Sequence, residues 1–254
     1  MATRRNAREG FDWGAPDSLI RCAAVGIVLS QLTISDLATG AAIWMCLVAL
    51  LSFHEFGHAW AAHKCGDDTA RLMGRMTINP VVHIDPIGTV LIPWVLILTP
   101  MLGVDLPFLV FGWAKPVPVN PSNYDSRKRG DILVSMAGPA VNLGLAVLLM
   151  VVLSIAGAWP EKLAVQQLWE NPAVMVVFLS LILCFFNLIP VPPLDGSHVL
   201  RHIIGMSEET YMQIAQYGFI IILLLINFTS VFRFVAQISF DTMVFVATNL
   251  GMSK

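Results

Sequence analysis

Charge is what this chain has least of. Only 13% of its 254 residues are Asp, Glu, Lys or Arg, where a soluble domain carries about a quarter. Hydrophobic residues make up 56%, and the mean hydropathy is +0.73. That balance excludes an ordinary soluble globule and points to an integral membrane protein. There is no basic surplus either: the net charge is −2, which offers no electrostatic footprint for nucleic acid. Cysteine is sparse. Cys22, Cys46, Cys65 and Cys184 are scattered without a CxxC, so they read as packing thiols, not as a disulfide framework or a metal cage. The N-terminal MATRRNAREGFDWGAPDS has no apolar core before a small-residue cleavage site. It is read as a cytoplasmic tail over residues 1–17, not as a cleaved signal peptide. No internal repeat, His-rich tract or low-complexity segment is present.

What is there is apolar and long. A helix needs about 20 apolar residues to cross the hydrocarbon core, and the stretches 19–35, 41–63, 132–157, 172–190 and 211–232 approach this. Arg4, Arg5 and Arg8 precede the first; Lys64, Arg71 and Arg75 follow the second; Lys115, Arg127, Lys128 and Arg129 precede the third; Arg201 follows the fourth. The intervening ISDLATG and AWPEKLAVQQLWENP hold one Lys and no Arg. The positive-inside rule therefore puts the N-terminus and the basic loops in the cytoplasm. A further apolar region, 87–113, is broken by Pro93, Pro100, Gly103, Asp105 and Pro107 and must start and end on the same side. As helix it reaches about 40 Å, short of the roughly 60 Å that two crossings need. It is expected to dip in as a short helix and return broken or extended, with two tilted short spans as the alternative. The expected fold is an all-α membrane protein: residues 18–254 as one polytopic domain, a bundle of five to six transmembrane helices with a re-entrant or broken segment near 87–113.

Inside the second stretch, LSFHEFGHAWAAHKCG (51–66) places ionisable groups among apolar ones. His54, Glu55 and His58 form H-E-x-x-H, a pattern of zinc metalloproteases. Residues four apart share a helix face, so two imidazoles can grip one metal ion. Glu55 lies about 100° around the axis, able to reach a metal-bound water without ligating. The alternative is a set of structural polar contacts between helices. Ionisable side chains at membrane depth cost a few kcal/mol, and they mark functional sites by default. His63, beside Lys64, reads as interfacial, and Trp60 as packing or an interfacial anchor. A catalytic zinc takes three protein ligands and keeps one position open, so a third donor is needed. Asp195, in FFNLIPVPPLDGSHVL (185–200), is the candidate. Pro190, Pro192 and Pro193 forbid regular helix before it. A broken helix that turns a carboxylate back into the bundle looks like this, and so does a plain N-cap for a helix over 196–204.

Taken together, these motifs resemble the site-2 protease family of intramembrane zinc metalloproteases. HEFGH matches its HExxH helix, NLIPVPPLDG its second motif, and AGPAVN (137–142) its intervening Gly-Pro-x-x-Asn segment, in the family's order over residues 50–200. GRMTINPVVHIDPIGT (74–89) and FGWAKPVPVNP (111–121) resemble a compact, bacterial-type branch without PDZ or CBS domains. The resemblance implies that His54, His58 and Asp195 bind one Zn2+ and that Glu55 is the general base. It implies that Asn187 helps bind the substrate or the oxyanion; capping of the broken helix end is its other role. It implies a membrane-spanning protein substrate, a bacterial inner membrane as the location, and a catalytic core that leaves substrate selection to itself or to a separate regulatory membrane protein. Asn142 is expected to pack or hydrogen bond behind the ligands, with Gly138 permitting close helix approach and Pro139 a kink. His83 and Asp85 read as a loop cap, a gate or support for the ligands. His198 and His202 read as a solvated helix face, or as a separate metal pair. The rival functions are a metal-ion transporter, which would need ligands strung along a pore, and a non-catalytic relative, against which the intact Glu55 argues.

Overall fold

The computed structural model describes residues 34–98, 112–160 and 163–252. The cytoplasmic tail and nearly all of the expected span 19–35 lie outside these. Within them the chain is helical, and no strand occurs among the described residues. Helix α1 runs Ile34–Lys64, α2 Thr69–Leu72, α3 Ile92–Leu98, α4 Arg127–Ile155, α5 Val165–Glu170, α6 Pro172–Asn187, α7 Gly196–Ile204, α8 Glu208–Ala215, α9 Gly218–Phe228 and α10 Val231–Asn249. Among the described residues, Leu37–Lys64, Arg127–Ile155 and Val231–Asn249 are long and apolar enough to cross a membrane.

Three expected boundaries move. The stretch 211–232 is not one continuous helix: α8 and α9 meet at a bend of 58°. The bend lets the chain pass the proline loop, because Gly218 lies so close to it that a Cβ there would stand 2.3 Å from the Pro192 carbonyl oxygen. Helix α10 is not among the expected spans, since Arg233, Gln237 and Asp241 interrupt its sequence. Those polar residues share the helix with a buried row, Val235, Ser239, Phe240, Met243 and Ala247. Gln237 donates to Asp241 at 2.9 Å, which satisfies part of the polar face locally. Finally, α6 holds only 16 residues, about 24 Å. Asn171 caps its start by accepting from the Ala173 and Val174 amides, with Pro172 in the first turn. Its end comes at Asn187 because the prolines that follow cannot continue it.

The core is two layers of packing around α4. On one side Ala146 and Met150 of α4 bury against Val174, Val177 and Leu181 of α6 and Met243 and Ala247 of α10. On the other, α4 meets α1 closely: a Cβ on Gly57 would stand 2.9 Å from Val141 Cγ2 and 3.0 Å from the Ala137 carbonyl oxygen. In lipid there is no hydrophobic drive between helices, so association rests on such close contact at small residues and on hydrogen bonds across the pair. Ser180 of α6 supplies one, donating to the Asn142 carbonyl oxygen at 2.7 Å.

Of the broken region 87–113, the described residues are a short helix and, at its far end, the start of a non-helical segment. Residues 86–98 are helical, first as a wide π turn (Pro86–Leu91) and then as α3; thirteen residues reach only about 20 Å. Residues 113–120 come back without helix, and the part between lies outside the described residues. The return is bonded onto the start: the Trp113 amide donates to the Gly88 carbonyl at 3.3 Å and the Lys115 amide to the His83 carbonyl at 2.9 Å. Thr89 Oγ1 donates to the Trp113 carbonyl at 2.7 Å. Gly88 is required here, since a Cβ would enter the Trp113 ring at 2.3 Å. His83 is buried with Nε2 on the Thr77 carbonyl at 2.8 Å, and Asp85 accepts from the Ile87 and Gly88 amides. Both therefore brace this loop.

Asp67, just past α1, ties the return to the bundle. It is fully buried and accepts from the Asn120 amide at 2.6 Å, the Asn123 side chain at 2.9 Å and the Thr69 hydroxyl. Burial opposes its charge, but the Asn120, Thr69 and Asn123 donors outweigh it and hold the carboxyl below the usual carboxylate range. A depressed folded-state pKa stabilises the loop above the unfolded value of about 3.9 and is lost as pH falls through the lower folded value. Asp67→Ala is expected to cost about 1–3 kcal/mol by orphaning buried donors. Hydrogen exchange over residues 113–125 should show the loosened loop, and unchanged protection there would refute this anchoring role.

Candidate metal centre

Three donors from two distant segments meet between α1 and α4. His54 and His58 occupy one face of α1, as four-residue spacing requires, and Asp195 arrives at the start of α7 from the proline loop. His54 Nε2 lies 3.0 Å from His58 Nε2 and 3.1 Å from Asp195 Oδ2; His58 Nε2 lies 3.4 Å from Asp195 Oδ1. Ligands about 2.0–2.1 Å from a tetrahedral zinc sit about 3.3 Å apart, so the triangle has the right size. Among the described residues these three are the group whose ligand atoms converge in this way. Asp195 makes no side-chain cap to α7, so the N-cap alternative gives way: its carboxylate faces the imidazoles, not its own helix.

The surroundings fit an ion as well as the donors do. His58 Nδ1 is 2.7 Å from the Val134 carbonyl, which takes its proton and leaves the Nε2 lone pair facing the centre. Pro139 lies one turn on within α4 and removes the amide that would bond the Ser135 carbonyl, so the wall of α4 is open beside Val134. His54 Nδ1 lies 3.1 Å from the Asn142 side-chain nitrogen, while Asn142 Oδ1 is buried without a partner. Turning the amide over puts Oδ1 onto the Nδ1 proton, satisfies the orphaned oxygen, and frees Nε2 of His54 for a metal. Gly138 makes room: a Cβ there would lie 2.4 Å from His58 Nε2 and 2.6 Å from His54 Nε2. Two imidazoles and one carboxylate, each ring oriented from behind, make the donor set of a zinc site that keeps a fourth position open.

Glu55 is buried and points to the extended return, where Oε2 accepts from the Val117 amide at 2.8 Å. Val117 stands between two prolines, Pro116 and Pro118, so it is the local backbone donor. Nothing in the sequence pattern announces that contact, nor the Val134 carbonyl, because both are backbone groups brought from far along the chain.

Asn187 is half-buried and donates to the Leu183 carbonyl of its own helix at 2.9 Å; it is not brought into the triangle. His63 pairs with Asp68 at 2.6 Å, away from the centre. His198 and His202 do not form a solvated face. Both turn onto Asp131 of α4, His198 Nδ1 at 3.2 Å from Oδ1 and His202 Nε2 at 2.6 Å from Oδ2. A buried carboxylate at the start of α4 is the missing partner, and the sequence does not reveal it because Asp131 lies 67 residues from the first histidine. Among the described residues, these two histidines and Asp131 are not a group whose ligand atoms converge as a metal site requires.

Apolar helices able to span a membrane and a zinc-type donor set define the class as a membrane metalloprotein. The family model for "Peptidase family M50" matches residues 42–164 and 154–226. The chain is 37% identical over 182 residues to a Bacillus subtilis protein named "Putative zinc metalloprotease YwhC", covering 70% of this chain and 77% of that one. It is 29% identical over 221 residues to the Mycolicibacterium smegmatis "Putative zinc metalloprotease Rip2", covering 84% and 73%. The Mycobacterium tuberculosis (strain ATCC 25618 / H37Rv) protein of the same name is 30% identical over 214 residues, covering 82% and 77%. No solved structure gives a significant match. The chain belongs to peptidase family M50, the site-2 protease family.

Two substitutions probe the centre without touching a donor. Gly138→Ala is expected to push the imidazoles apart and lose bound zinc, measured by metal analysis, with the helical circular dichroism retained. Asn142→Ala should weaken zinc binding about 10–100-fold, the usual cost of removing a hydrogen bond behind a histidine ligand. Full zinc occupancy at wild-type affinity in both would refute the arrangement.

Proposed function

We propose that the chain is an intramembrane zinc endopeptidase that hydrolyses peptide bonds in or near the membrane-spanning segments of protein substrates, as a step of regulated proteolysis. The observation that carries this reading is the meeting of Asp195 with the two α1 imidazoles inside an apolar bundle. His54, His58 and Asp195 would hold zinc, which supplies a Lewis acid that lowers the pKa of water towards about 7 and polarises a carbonyl. Glu55 accepts the proton of the attacking water and delivers it to the leaving amine. The Val117 amide fixes one carboxylate oxygen and leaves the other for that proton. Asn187 sits where α6 ends and would supply an amide N–H to the developing oxyanion after letting go of Leu183.

A substrate helix must unwind to offer its peptide bond, since helical carbonyls are already bonded. The extended return 113–120 is the candidate for receiving it by edge pairing. Its inward groups are engaged at Trp113, Lys115 and Val117. The opposite edge carries Pro116 and Pro118, which have carbonyls but no N–H, and the Pro116 carbonyl already accepts from Arg75 at 3.3 Å. A substrate strand there would therefore donate its own amides and receive few in return, a pairing too weak to capture a second copy of the edge. The basic loops favour an N-terminus in the cytoplasm, and the likeness to a compact bacterial-type branch favours a bacterial inner membrane location. His54 stands about 15 Å along α1 from Lys64, so water would reach the site from that side.

Glu55→Gln should keep zinc at wild-type stoichiometry and lower cleavage of a transmembrane peptide about 10²–10⁴-fold, the range for loss of a general base. Chelation should abolish cleavage and zinc re-addition restore it. Undiminished cleavage by Glu55→Gln would reject the assigned base, and metal flux surviving in that variant would favour transport instead.

A further inference from the structure

Away from the metal triangle, a cavity of about 360 Å³ opens where the start of α4, the end of α7 and the start of α8 come together. Arg127, Lys128, Asp131, Arg201, His202 and Glu208 line it. Its donors outnumber its acceptors. Both oxygens of Asp131 are taken by His198 and His202. Glu208 is shared between two guanidiniums, Arg127 at 2.6 Å and Arg201 at 3.6 Å. Ser207 is occupied with Thr210 at 2.9 Å. That leaves Lys128 without an acceptor among the described residues, and Arg201 Nε buried with no hydrogen-bond partner, its guanidinium lying 5.4 Å from the Tyr211 ring centroid. A concave, donor-rich site with three fixed cations is built to take an anion.

Its position says which kind. Arg127 and Lys128 stand at the first turn of a helix long and apolar enough to span, so the cavity lies at the membrane–water boundary. The same helices carry exposed apolar side chains: Ile203 and Ile204 directly after His202, Leu133 five residues past Lys128, and Met212 on α8. Cations at the boundary with bare aliphatic surface beside them match a molecule with an anionic head and hydrocarbon tails. Basic pockets between transmembrane helices bind lipid headgroups in this way. We propose that this cavity is a binding site for the phosphate headgroup of an anionic phospholipid, with Lys128 and Arg201 as the phosphate donors and Glu208 as the internal anion that the phosphate displaces from Arg127 and Arg201. Helix α7 joins this site to the metal centre: it follows directly on Asp195 and carries Arg201 and His202 in its last turn.

The test uses the full chain purified in a neutral detergent, with bound lipid counted by native mass spectrometry and thermal unfolding followed in parallel. Phosphatidylglycerol is titrated against phosphatidylcholine and against inorganic phosphate. The site predicts retention of phosphatidylglycerol and a raised unfolding temperature, with neither effect from phosphatidylcholine. Lys128→Gln should weaken phosphatidylglycerol about fivefold, the effect of one basic residue at an anionic surface. Glu208→Gln should strengthen it, because the competing carboxylate is gone; a merely structural ion pair would give lower stability and no gain in affinity. Equal retention of the two lipids, or indifference to both substitutions, overturns the site. Protection by inorganic phosphate equal to that by phosphatidylglycerol overturns the lipid assignment and leaves a free anion as the ligand.

Discussion

The rest of the structure is arranged around one constraint: a polar triangle of two imidazoles and a carboxylate has to exist where water is scarce. Each of its members is acceptable there only because other groups satisfy it. His58 has the Val134 carbonyl, His54 has the Asn142 amide, and Asp195 has both rings. Even the packing follows. Helix α4 can bring Val134 and Asn142 to the imidazoles only by lying almost against α1, and Gly57 and Gly138 are the residues that allow it. Asn142 in turn is joined to α6 through Ser180, and α6 leads into the proline loop that delivers Asp195. Helices α1, α4 and α6 are thus linked to one another through the site.

The extended return plays a comparable part around Glu55. Helices satisfy their own backbone, so a helical wall offers no spare amide to a carboxylate. Residues 113–120 are not helical, and Val117 therefore has an N–H to give to Glu55. Irregular backbone that is buried needs partners for its polar groups, and here residues 83–89 and Asp67 supply them. The loop's hydrogen bonds and the orientation of Glu55 are one structural fact.

At the opposite end of α7, Asp131 draws in His198 and His202. The sequence offers these histidines as a spare pair, and they prove to be a clamp between α4 and α7. Asn187 is the converse case: its place in the motif is clear, while its side chain turns back along α6. A motif names residues that work in one neighbourhood; it does not say which way each of them points.

How much was legible follows from the range of the interactions. The apolar composition, the two imidazoles on one face of α1, the helix break at the prolines and the short, interrupted segment after residue 86 could all be read in the chain. Each depends on residues within a few turns of one another. The bend between α8 and α9 and the burial of α10 could not, since both are set by contacts with the proline loop and with α4 and α6. The sequence by itself determined that a metal-type pair sits in an apolar helix and that a carboxylate follows a proline break. Only the tertiary structure decided that the carboxylate turns to the pair instead of capping its own helix, and that backbone groups of Val117 and Val134 complete the site. The reason is physical: helical periodicity is a local property, whereas the closure of a gap of 141 residues between His54 and Asp195 depends on how closely two helices can pack.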